Sequence, residues 1–247
     1  MHAWSKSGEC LEHPIPWGKF GVFTTLRILP GLIPLHKMEH LHRLTQAALS
    51  LNLHWIPSFD QLSQKIEEYF SNPNRLKDQL LRICLFENCL AMSSRRSTSD
   101  GLPVKGRLLK YRRPQPSIKS TAEKELYGTL QNLNIAEEDL IIIDPADDRI
   151  LESATSNLIF VQGDVLIVPE KKILIGITLQ KLLPLLDSDF SIIRKTPTDQ
   201  EVFEFDEILL CGTGRGVAPL AELKELNWSS QSGDSFQKIR SIYENLI

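Results

Sequence analysis

The chain has 247 residues, of which 42% are hydrophobic and 24% are charged, and this composition is typical of a globular protein and excludes a disordered one. The formal net charge of −3 gives no general attraction to phosphate backbones, so we expect no nucleic-acid partner. No apolar run reaches the roughly 18 residues of a membrane span, no signal peptide opens the chain, and the four cysteines lack CxxC spacing. We therefore expect a soluble cytoplasmic protein with no membrane partner.

The first predicted element is a strand over residues 20–28, where FGVFTTLRI is rich in β-branched and aromatic residues. A helix follows over residues 38–49, because apolar side chains recur there at intervals of three and four. A second helix is predicted over residues 59–69, and a second strand over residues 80–86.

Residues 93–115 are rich in glycine, proline and basic residues, which predicts a loop with a short strand over residues 107–111. We place the domain boundary in this segment. A smaller N-terminal α/β domain then covers residues 1–114, and a C-terminal α/β domain covers residues 115–247. Both halves contain helices and strands, and the expected fold class is α+β.

The second half begins with a predicted helix over residues 120–133 and a strand over residues 140–144. Two apolar runs flank Gln162-Gly163-Asp164, which indicates a hairpin. An apolar helix opens at Gly176-Ile177-Thr178, with Thr178 as its expected N-cap. The last predicted strand covers residues 207–210 and leads into the turn Cys211-Gly212-Thr213-Gly214.

Taken singly, the candidate residues of this chain have ordinary explanations, such as a solvated lysine, a helix cap or a tight loop. Their order and spacing, however, resemble the class IV PLP-dependent enzymes, which include branched-chain aminotransferase, D-amino acid aminotransferase and aminodeoxychorismate lyase. The resemblance covers most of the chain. It is carried by FGVFTTLRI (residues 20–28), EHLHRL (39–44), SIKS (117–120), ILESATSNLIF (150–160), GIT (176–178) and CGTGRGVAP (211–219).

The resemblance implies a two-domain fold like that of D-amino acid aminotransferase, known as PLP fold type IV. Pyridoxal 5′-phosphate (PLP) would lie between the domains, with the larger share of its site in the C-terminal domain, and the protein would be a homodimer. Lys119 would hold the cofactor as a Schiff base and serve as the base and acid of proton transfer. Glu152 would meet the pyridine nitrogen, because a carboxylate there keeps that nitrogen protonated.

The phosphate of PLP needs backbone amides at a helix N-terminus, hydroxyl groups and a cation. By resemblance, Ile177 and Thr178 supply the amides, Thr213 supplies a hydroxyl and an amide, and Arg43 supplies the charge. In many relatives an arginine follows GIT, whereas this chain has Leu179. No metal site is expected, since His40 and His42 point to different faces of their helix.

The choice of activity within the family depends on Phe23-Thr24-Thr25. Aminotransferases of this class commonly have glutamate at the position of Thr24, whereas FTT followed by an arginine, here Arg27, resembles the bacterial lyases. Small hydroxyl side chains at Thr24 and Thr25 suit a small-molecule substrate with two carboxylates, which a glutamate would repel. Arg215 is a further candidate for a substrate carboxylate.

The sequence thus predicts a PLP-dependent 4-amino-4-deoxychorismate lyase, which releases pyruvate and the folate precursor 4-aminobenzoate. One alternative is an aminotransferase acting on D- or branched-chain amino acids with the same Lys119 and Glu152. Branched-chain aminotransferases have a tyrosine five residues after the lysine, where this chain has Lys124, which argues mildly against that activity. The third alternative is a PLP-binding protein without turnover.

Overall fold

The structure is a computed structural model that describes residues 1–12, 18–75 and 79–247. It divides into two compact units. The first comprises Met1–Ser97 and Ile118–Lys124, and the second comprises Thr98–Ser117 and Glu125–Ile247. The division thus differs from a single boundary after residue 114, because residues 104–110 pair within the second unit and residues 119–121 pair within the first.

The first unit is built on a six-stranded antiparallel sheet with the strand order β2-β1-β6-β5-β3-β4. Its strands are β1 (His2–Ser5), β2 (Cys10–Leu11), β3 (Gly21–Leu29), β4 (Ile33–Pro34), β5 (Leu80–Phe86) and β6 (Cys89–Arg95). Two helices complete the unit, α1 (Lys37–Ser50) and α2 (Phe59–Phe70). Strands β3 and β5 and both helices lie within one residue of their predicted bounds.

One face of this sheet and the two helices form a single hydrophobic core. Strand alternation places Val22 and Leu26 of β3 on that face, where they are fully buried together with Leu41 and Leu44 of α1. A capping box begins α2, since the Ser58 hydroxyl accepts from the backbone of Gln61 and the Gln61 side chain accepts from the backbone of Ser58.

The second unit contains a nine-stranded mixed sheet with the order β12-β11-β10-β13-β14-β7-β8-β9, with β15 paired to β14. The strands are β7 (Val104–Lys110), β8 (Glu138–Ile143), β9 (Ile150–Ser153), β10 (Asn157–Gln162), β11 (Val165–Val168), β12 (Ser191–Arg194), β13 (Glu207–Gly212), β14 (Gly216–Leu223) and β15 (Trp228–Ser229). The predicted hairpin is formed by the antiparallel pair β10 and β11.

Two hydrophobic clusters cover the two faces of β10 and β13. Alternate residues of these strands, such as Phe160 and Leu210, join a cluster with residues of β7, β8 and β9. The intervening residues, such as Ile159 and Leu209, pack against α4 (Ile177–Leu186) and α5 (Asp234–Glu244). A short helix, α3 (Lys124–Leu130), precedes β8.

Within the described ranges, no helix combines the length and the apolar character that crossing a membrane requires. All four cysteines have free thiols, and burial raises the pKa of Cys84 and of Cys211 to about 12. These two thiols are therefore protonated at neutral pH and belong to the core.

Candidate functional site

Lys119 lies in a short segment that is hydrogen-bonded to β3, where Ser120 forms an isolated bridge with Val22. The Phe23 amide donates to the Lys119 carbonyl at 2.9 Å, and the Thr121 amide donates to the Gly21 carbonyl at 2.9 Å. These bonds are made in place of the helix predicted to begin at residue 120, and α3 begins only at Lys124. Tertiary pairing thus fixes the backbone of the candidate lysine.

One face of the first sheet brings Lys119 together with an aromatic ring and two arginines. Alternation along β3 places Phe23, Thr25 and Arg27 on the same face. The Lys119 ammonium nitrogen lies 5.0 Å from the centroid of the Phe23 ring, and the Arg82 guanidinium carbon lies 5.6 Å from the same centroid. Arg82 of β5 lies directly opposite Thr25.

Arg82 was not predicted from the sequence. Its signal there is the single charge in the apolar strand LLRICLF, although that pattern does not reveal which residue lies opposite. The register of β5 against β3 makes Arg82 a neighbour of the predicted substrate residues Thr25 and Arg27. Their common face therefore carries several positive charges beside one aromatic ring.

Thr24 projects from the opposite face of β3, towards α1. Its hydroxyl accepts from Nη2 of Arg43 at 2.9 Å and shares a 2.9 Å hydrogen bond with Nδ1 of His40. Burial, followed by the charges of Arg43, His36 and Lys119, lowers the pKa of His40 well below its ordinary value. His40 is therefore neutral at pH 7, and Thr24 anchors the Arg43 guanidinium.

The buried hydroxyl of Thr24 should contribute measurably to stability. We expect Thr24→Val to lower the free energy of unfolding by about 1–3 kcal/mol, because the half-buried Arg43 and the buried His40 each lose a hydrogen-bond partner. Thr25→Val is the matched control at the next, half-buried position, and we expect it to change stability by less than about 0.5 kcal/mol. Equal losses in both variants, measured by urea unfolding, would contradict this role.

Glu152 lies on β9 in the second unit and is almost fully buried. Nη1 of Arg113 donates to its Oε1 at 2.9 Å, and the two side chains are each 5% exposed. The Leu174 amide points at the same carboxylate, 3.2 Å from Oε2. A buried carboxylate is stable only when its charge is compensated, and Arg113 provides that compensation here.

Asp144, which directly follows β8, also bonds to both segments that contact Glu152, namely the one with Arg113 and the one with Leu174. It accepts from Arg112, the neighbour of Arg113, at 2.6 Å, and it also accepts from Lys172, two residues before Leu174. Although burial opposes ionisation, hydrogen bonds from Lys172, the Ala146 amide and Arg112 lower the pKa of Asp144 to about 2.

The depressed pKa of Asp144 predicts a loss of stability in acid. Because its folded pKa lies below the ordinary value of 3.8, its contribution is present above pH 3.8 and is lost as the pH falls towards 2. We expect Asp144→Asn to be less stable than the parent protein at pH 7, with a smaller difference near pH 3.

Asp148→Asn is the control for this prediction, because Asp148 pairs with Lys110 at the surface, where the carboxylate is half exposed. It should change stability little at either pH. A stability difference between the parent and Asp144→Asn that stays constant from pH 7 to pH 3, measured by urea unfolding, would exclude Asp144 as the titrating group.

The N-terminus of α4 is held by Asn157 at the start of β10. The Asn157 side chain donates to the Leu174 carbonyl and accepts from the Gly176 amide, each at 2.8 Å. A Cβ at Gly176 would lie 2.5 Å from Oδ1 of Asn157, so glycine is required there. Gly176, and not Thr178, is the N-cap, and no side chain in the described ranges caps this helix.

The first amides of an uncapped helix are available to an anion, and Ile177 and Thr178 are the first two residues of α4. Thr213 lies in the three-residue turn between β13 and β14, which are closed by the pair Gly212 and Gly216. Gly216 has a φ of 62°, the left-handed region that glycine adopts without strain.

The side chain of Arg215 is turned into the second unit and is only 3% exposed. Its Nη2 donates to the carbonyls of Ile135 at 2.9 Å and Glu138 at 2.8 Å, and its Nε faces Oδ2 of Asp139 at 3.3 Å. The structure therefore places Lys119, Arg43 and the predicted residues of β3 in the first unit. It places Glu152, Ile177, Thr178, Thr213 and Arg215 in the second.

Comparison with solved structures reveals the same fold in several proteins. The chain resembles a branched-chain aminotransferase from the thermophilic archaeon Thermoproteus uzoniensis, with a TM-score of 0.82 and 20% identity over 99% of this chain and 94% of that one. A candidate 4-amino-4-deoxychorismate lyase from Legionella pneumophila has a TM-score of 0.77 and 17% identity over 92% and 91% of the two chains. A hypothetical aminotransferase from Mycobacterium tuberculosis in its PLP-bound form has a TM-score of 0.78 and 18% identity over 100% and 99%.

These identities are low, and the three likenesses establish the fold type IV architecture expected from the sequence, an α+β fold. No curated protein matches the sequence. The family model for amino-transferase class IV, in contrast, matches residues 21–223, and the chain therefore belongs to the class IV aminotransferase family.

Proposed function

We propose that the chain is a PLP-dependent enzyme in which Lys119 holds the cofactor and Glu152 meets its pyridine nitrogen. The donor set fits PLP. It contains a lysine on an aromatic face, a buried carboxylate compensated by Arg113, and a helix N-terminus that no described side chain caps. A structural relative from Mycobacterium tuberculosis is known in PLP-bound and PMP-bound forms, which supports the same cofactor here.

PLP, when bound, supplies an electron sink for the carbon from which the substrate loses a proton. Lys119 would hold the cofactor covalently, and its Nζ would be the group that takes and returns a proton once the substrate amine is bound. Glu152 would hold a proton at the pyridine nitrogen. Arg113 and the Leu174 amide fix the Glu152 carboxylate, so this proton is held without rearrangement of the protein.

The proposed ligands of the phosphate are the four residues that the sequence resemblance implies. Ile177 and Thr178 offer backbone amides at the start of α4, and Thr213 offers its hydroxyl and amide in a tight turn. Arg43 supplies the positive charge, with its guanidinium oriented by Thr24. We accordingly propose that Thr24 acts through Arg43 and does not itself contact the substrate.

Within the family, we propose the 4-amino-4-deoxychorismate lyase activity. The single observation that carries it is the cationic face beside Lys119, where Thr25, Arg27 and Arg82 lie together. A cyclic amine with two carboxylates is complementary to this face, whereas a branched aliphatic side chain is not. The candidate lyase from Legionella pneumophila, which has the same fold, supports the same choice.

The proposed reaction needs only one substrate. Nζ of Lys119 would take the proton from the ring carbon that bears the amino group, and the bond between the ring and the enolpyruvyl oxygen would break as the ring becomes aromatic. The proton would then pass to the methylene carbon of the released enolpyruvate, which becomes pyruvate. Arg27 and Arg82 bind the two carboxylates and orient that carbon towards Lys119. The product is 4-aminobenzoate, and the enzyme returns to its starting state without a second substrate.

A coupled assay tests this proposal. Chorismate and an aminating synthase are incubated with the protein, and 4-aminobenzoate and pyruvate are measured. We expect equal amounts of the two products, without any added 2-oxo acid. The lyase proposal is wrong if neither product forms while the protein turns over a pair of amino acid and 2-oxo acid.

The second candidate function is an aminotransferase acting on D- or branched-chain amino acids. It is favoured by the likeness to the branched-chain aminotransferase from Thermoproteus uzoniensis, at a TM-score of 0.82. An aminotransferase leaves the amino group on the cofactor and needs a 2-oxo acid to complete its cycle. A screen of amino acid and 2-oxo acid pairs therefore distinguishes the two, and a protein inactive in both assays but able to bind PLP would be a binding protein only.

We also propose that the protein is a homodimer, as its family resemblance implies. Light scattering of the purified protein after gel filtration gives the mass directly. A mass of about twice 28.1 kDa is expected. A monomer that nevertheless catalyses the reaction would refute this part of the proposal.

A further inference from the structure

A buried carboxylate, Asp139, joins the parts of the second unit that carry the candidate cofactor residues. Asp139 is the second residue of β8 and is 0% exposed. It accepts from the hydroxyl of Ser153 at 2.9 Å, from the hydroxyl of Thr155, and from Nε of Arg215 at 3.3 Å. Burial raises the pKa of Asp139, and the charge of Arg215 opposes this shift.

Two of these partners adjoin residues of the proposed site. Ser153 directly follows Glu152 on β9, and Arg215 ends the turn that contains Thr213. Asp139 therefore connects the strand of the candidate pyridine partner with the turn of the candidate phosphate ligand.

Both the side chain and the backbone of Arg215 bond to residues outside the turn. Its side chain donates to the Ile135 and Glu138 carbonyls, and its own carbonyl accepts from the Gly101 amide at 3.0 Å. Its Nε also approaches the hydroxyl of Thr155 at 3.3 Å. With these contacts inside the unit, Arg215 is held too firmly to reach a substrate carboxylate without breaking a buried ion pair.

The segment that joins β9 to β10 packs closely against Gly212, the residue before the turn. A Cβ at Gly212 would lie 2.8 Å from Oγ of Ser156 and 3.1 Å from the Thr155 carbonyl. The Ser156 amide in turn donates to Oγ of Ser153 at 2.8 Å. Asp139 and the segment before β10 are thus joined by hydrogen bonds, and the end of β13 packs closely against that segment.

We propose that Asp139 and Arg215 are positioning residues that hold the Thr213 turn in the conformation that binds the cofactor phosphate. Arg215 is accordingly not a ligand of the substrate. The inference rests on the proposed function, because it takes the phosphate of PLP as the ligand of Thr213. A turn fixed in advance binds a phosphate with less loss of conformational freedom, and so with higher affinity.

The test compares PLP with pyridoxal, which lacks only the phosphate. Apo-protein is titrated with each compound, and the dissociation constants are read from absorption spectra. We expect Asp139→Asn to weaken PLP binding by about tenfold or more and to leave pyridoxal binding nearly unchanged. Thr155→Val, which removes one donor to Asp139 and leaves the buried charges in place, should act in the same direction and keeps the test possible if Asp139→Asn does not fold.

Glu207→Gln is the matched control. Glu207 is a 2% exposed carboxylate at the opposite end of β13, where it accepts from the Ser235 amide at 2.9 Å and the Phe236 amide at 2.8 Å and so caps α5. This variant should lower the melting temperature without changing the ratio of PLP to pyridoxal affinity. The ratio reports positioning, which a general loss of stability does not alter.

The outcomes are distinct. Unchanged PLP affinity in Asp139→Asn and Thr155→Val, or equal losses for PLP and pyridoxal, overturns the positioning role. An equal change of the ratio in Glu207→Gln overturns it as well. If the parent protein binds PLP no better than pyridoxal, or binds neither, the proposed function itself fails and the inference falls with it.

Discussion

We expect Lys119→Ala to lose the covalently held cofactor and all measurable turnover. Lys119 is the amine on the Phe23 face, and the bonds between residues 119–121 and β3 fix its backbone there. Loss of proton transfer alone removes roughly 10²–10⁴-fold of the rate. The measurements are the visible absorption band of the PLP-loaded protein and the release of 4-aminobenzoate.

Lys124→Ala is the control for this variant. Lys124 lies five positions later at the start of α3, where its side chain is exposed and packs near Gly18. We expect this variant to keep both the absorption band and the activity. If Lys119→Ala keeps the band and Lys124→Ala loses it, the catalytic lysine has been assigned to the wrong residue.

Glu152→Gln should retain the cofactor and lose most of its turnover. A neutral amide cannot hold the pyridine nitrogen protonated, and loss of such a preorganised electrostatic group slows reactions by about 10²–10³-fold. The substitution also leaves Arg113 buried beside a neutral group. Removing one partner of a buried ion pair costs about 3–5 kcal/mol, so the free energy of unfolding of the apo-protein should fall as well.

Glu138→Gln provides the comparison, because Glu138 also pairs with an arginine of the second sheet, Arg107, but does so at the surface. We expect normal turnover and a stability change of no more than about 1 kcal/mol. Turnover in Glu152→Gln equal to that of the parent protein would remove Glu152 from the site, whatever the change in stability.

The local elements of the fold could be predicted because their signals are contained in short stretches of sequence. Strand β5 (Leu80–Phe86) is an uninterrupted apolar run apart from Arg82, and the hairpin of β10 and β11 has its turn at Gly163, whose φ is 57°. Helix α1 is specified by apolar residues at intervals of three and four.

Elements that depend on distant partners could not be predicted in this way. Residues 120–123 have a helical pattern, yet the bonds to Gly21 and Phe23 attach this end of the segment to β3 and no helix forms there. Helix α5 is absent from the predicted elements, and its N-terminus is capped by Glu207, a residue far away in sequence. Strand β1 forms only because β6 offers it an edge.

In the candidate site, too, residues within sequence motifs could be predicted, and contacts between distant residues could not. The order of the motifs identified the candidate lysine, the carboxylate and the phosphate turn. It could not identify Arg113 as the partner of Glu152, because nothing in sequence links residues 39 positions apart. The sequence also could not show that Arg215 is buried, or that Arg82 shares a face with Thr25. A charged residue in a sequence does not reveal how buried its side chain is.

The central claim is that this chain holds PLP through Lys119, and peptide mapping tests it most directly. The parent protein is loaded with PLP, reduced with borohydride, digested and analysed by mass spectrometry. We expect a single modified peptide, with the reduced cofactor attached to Lys119. Attachment to any other lysine, or recovery of Lys119 entirely unmodified from protein that has bound PLP, would contradict the account.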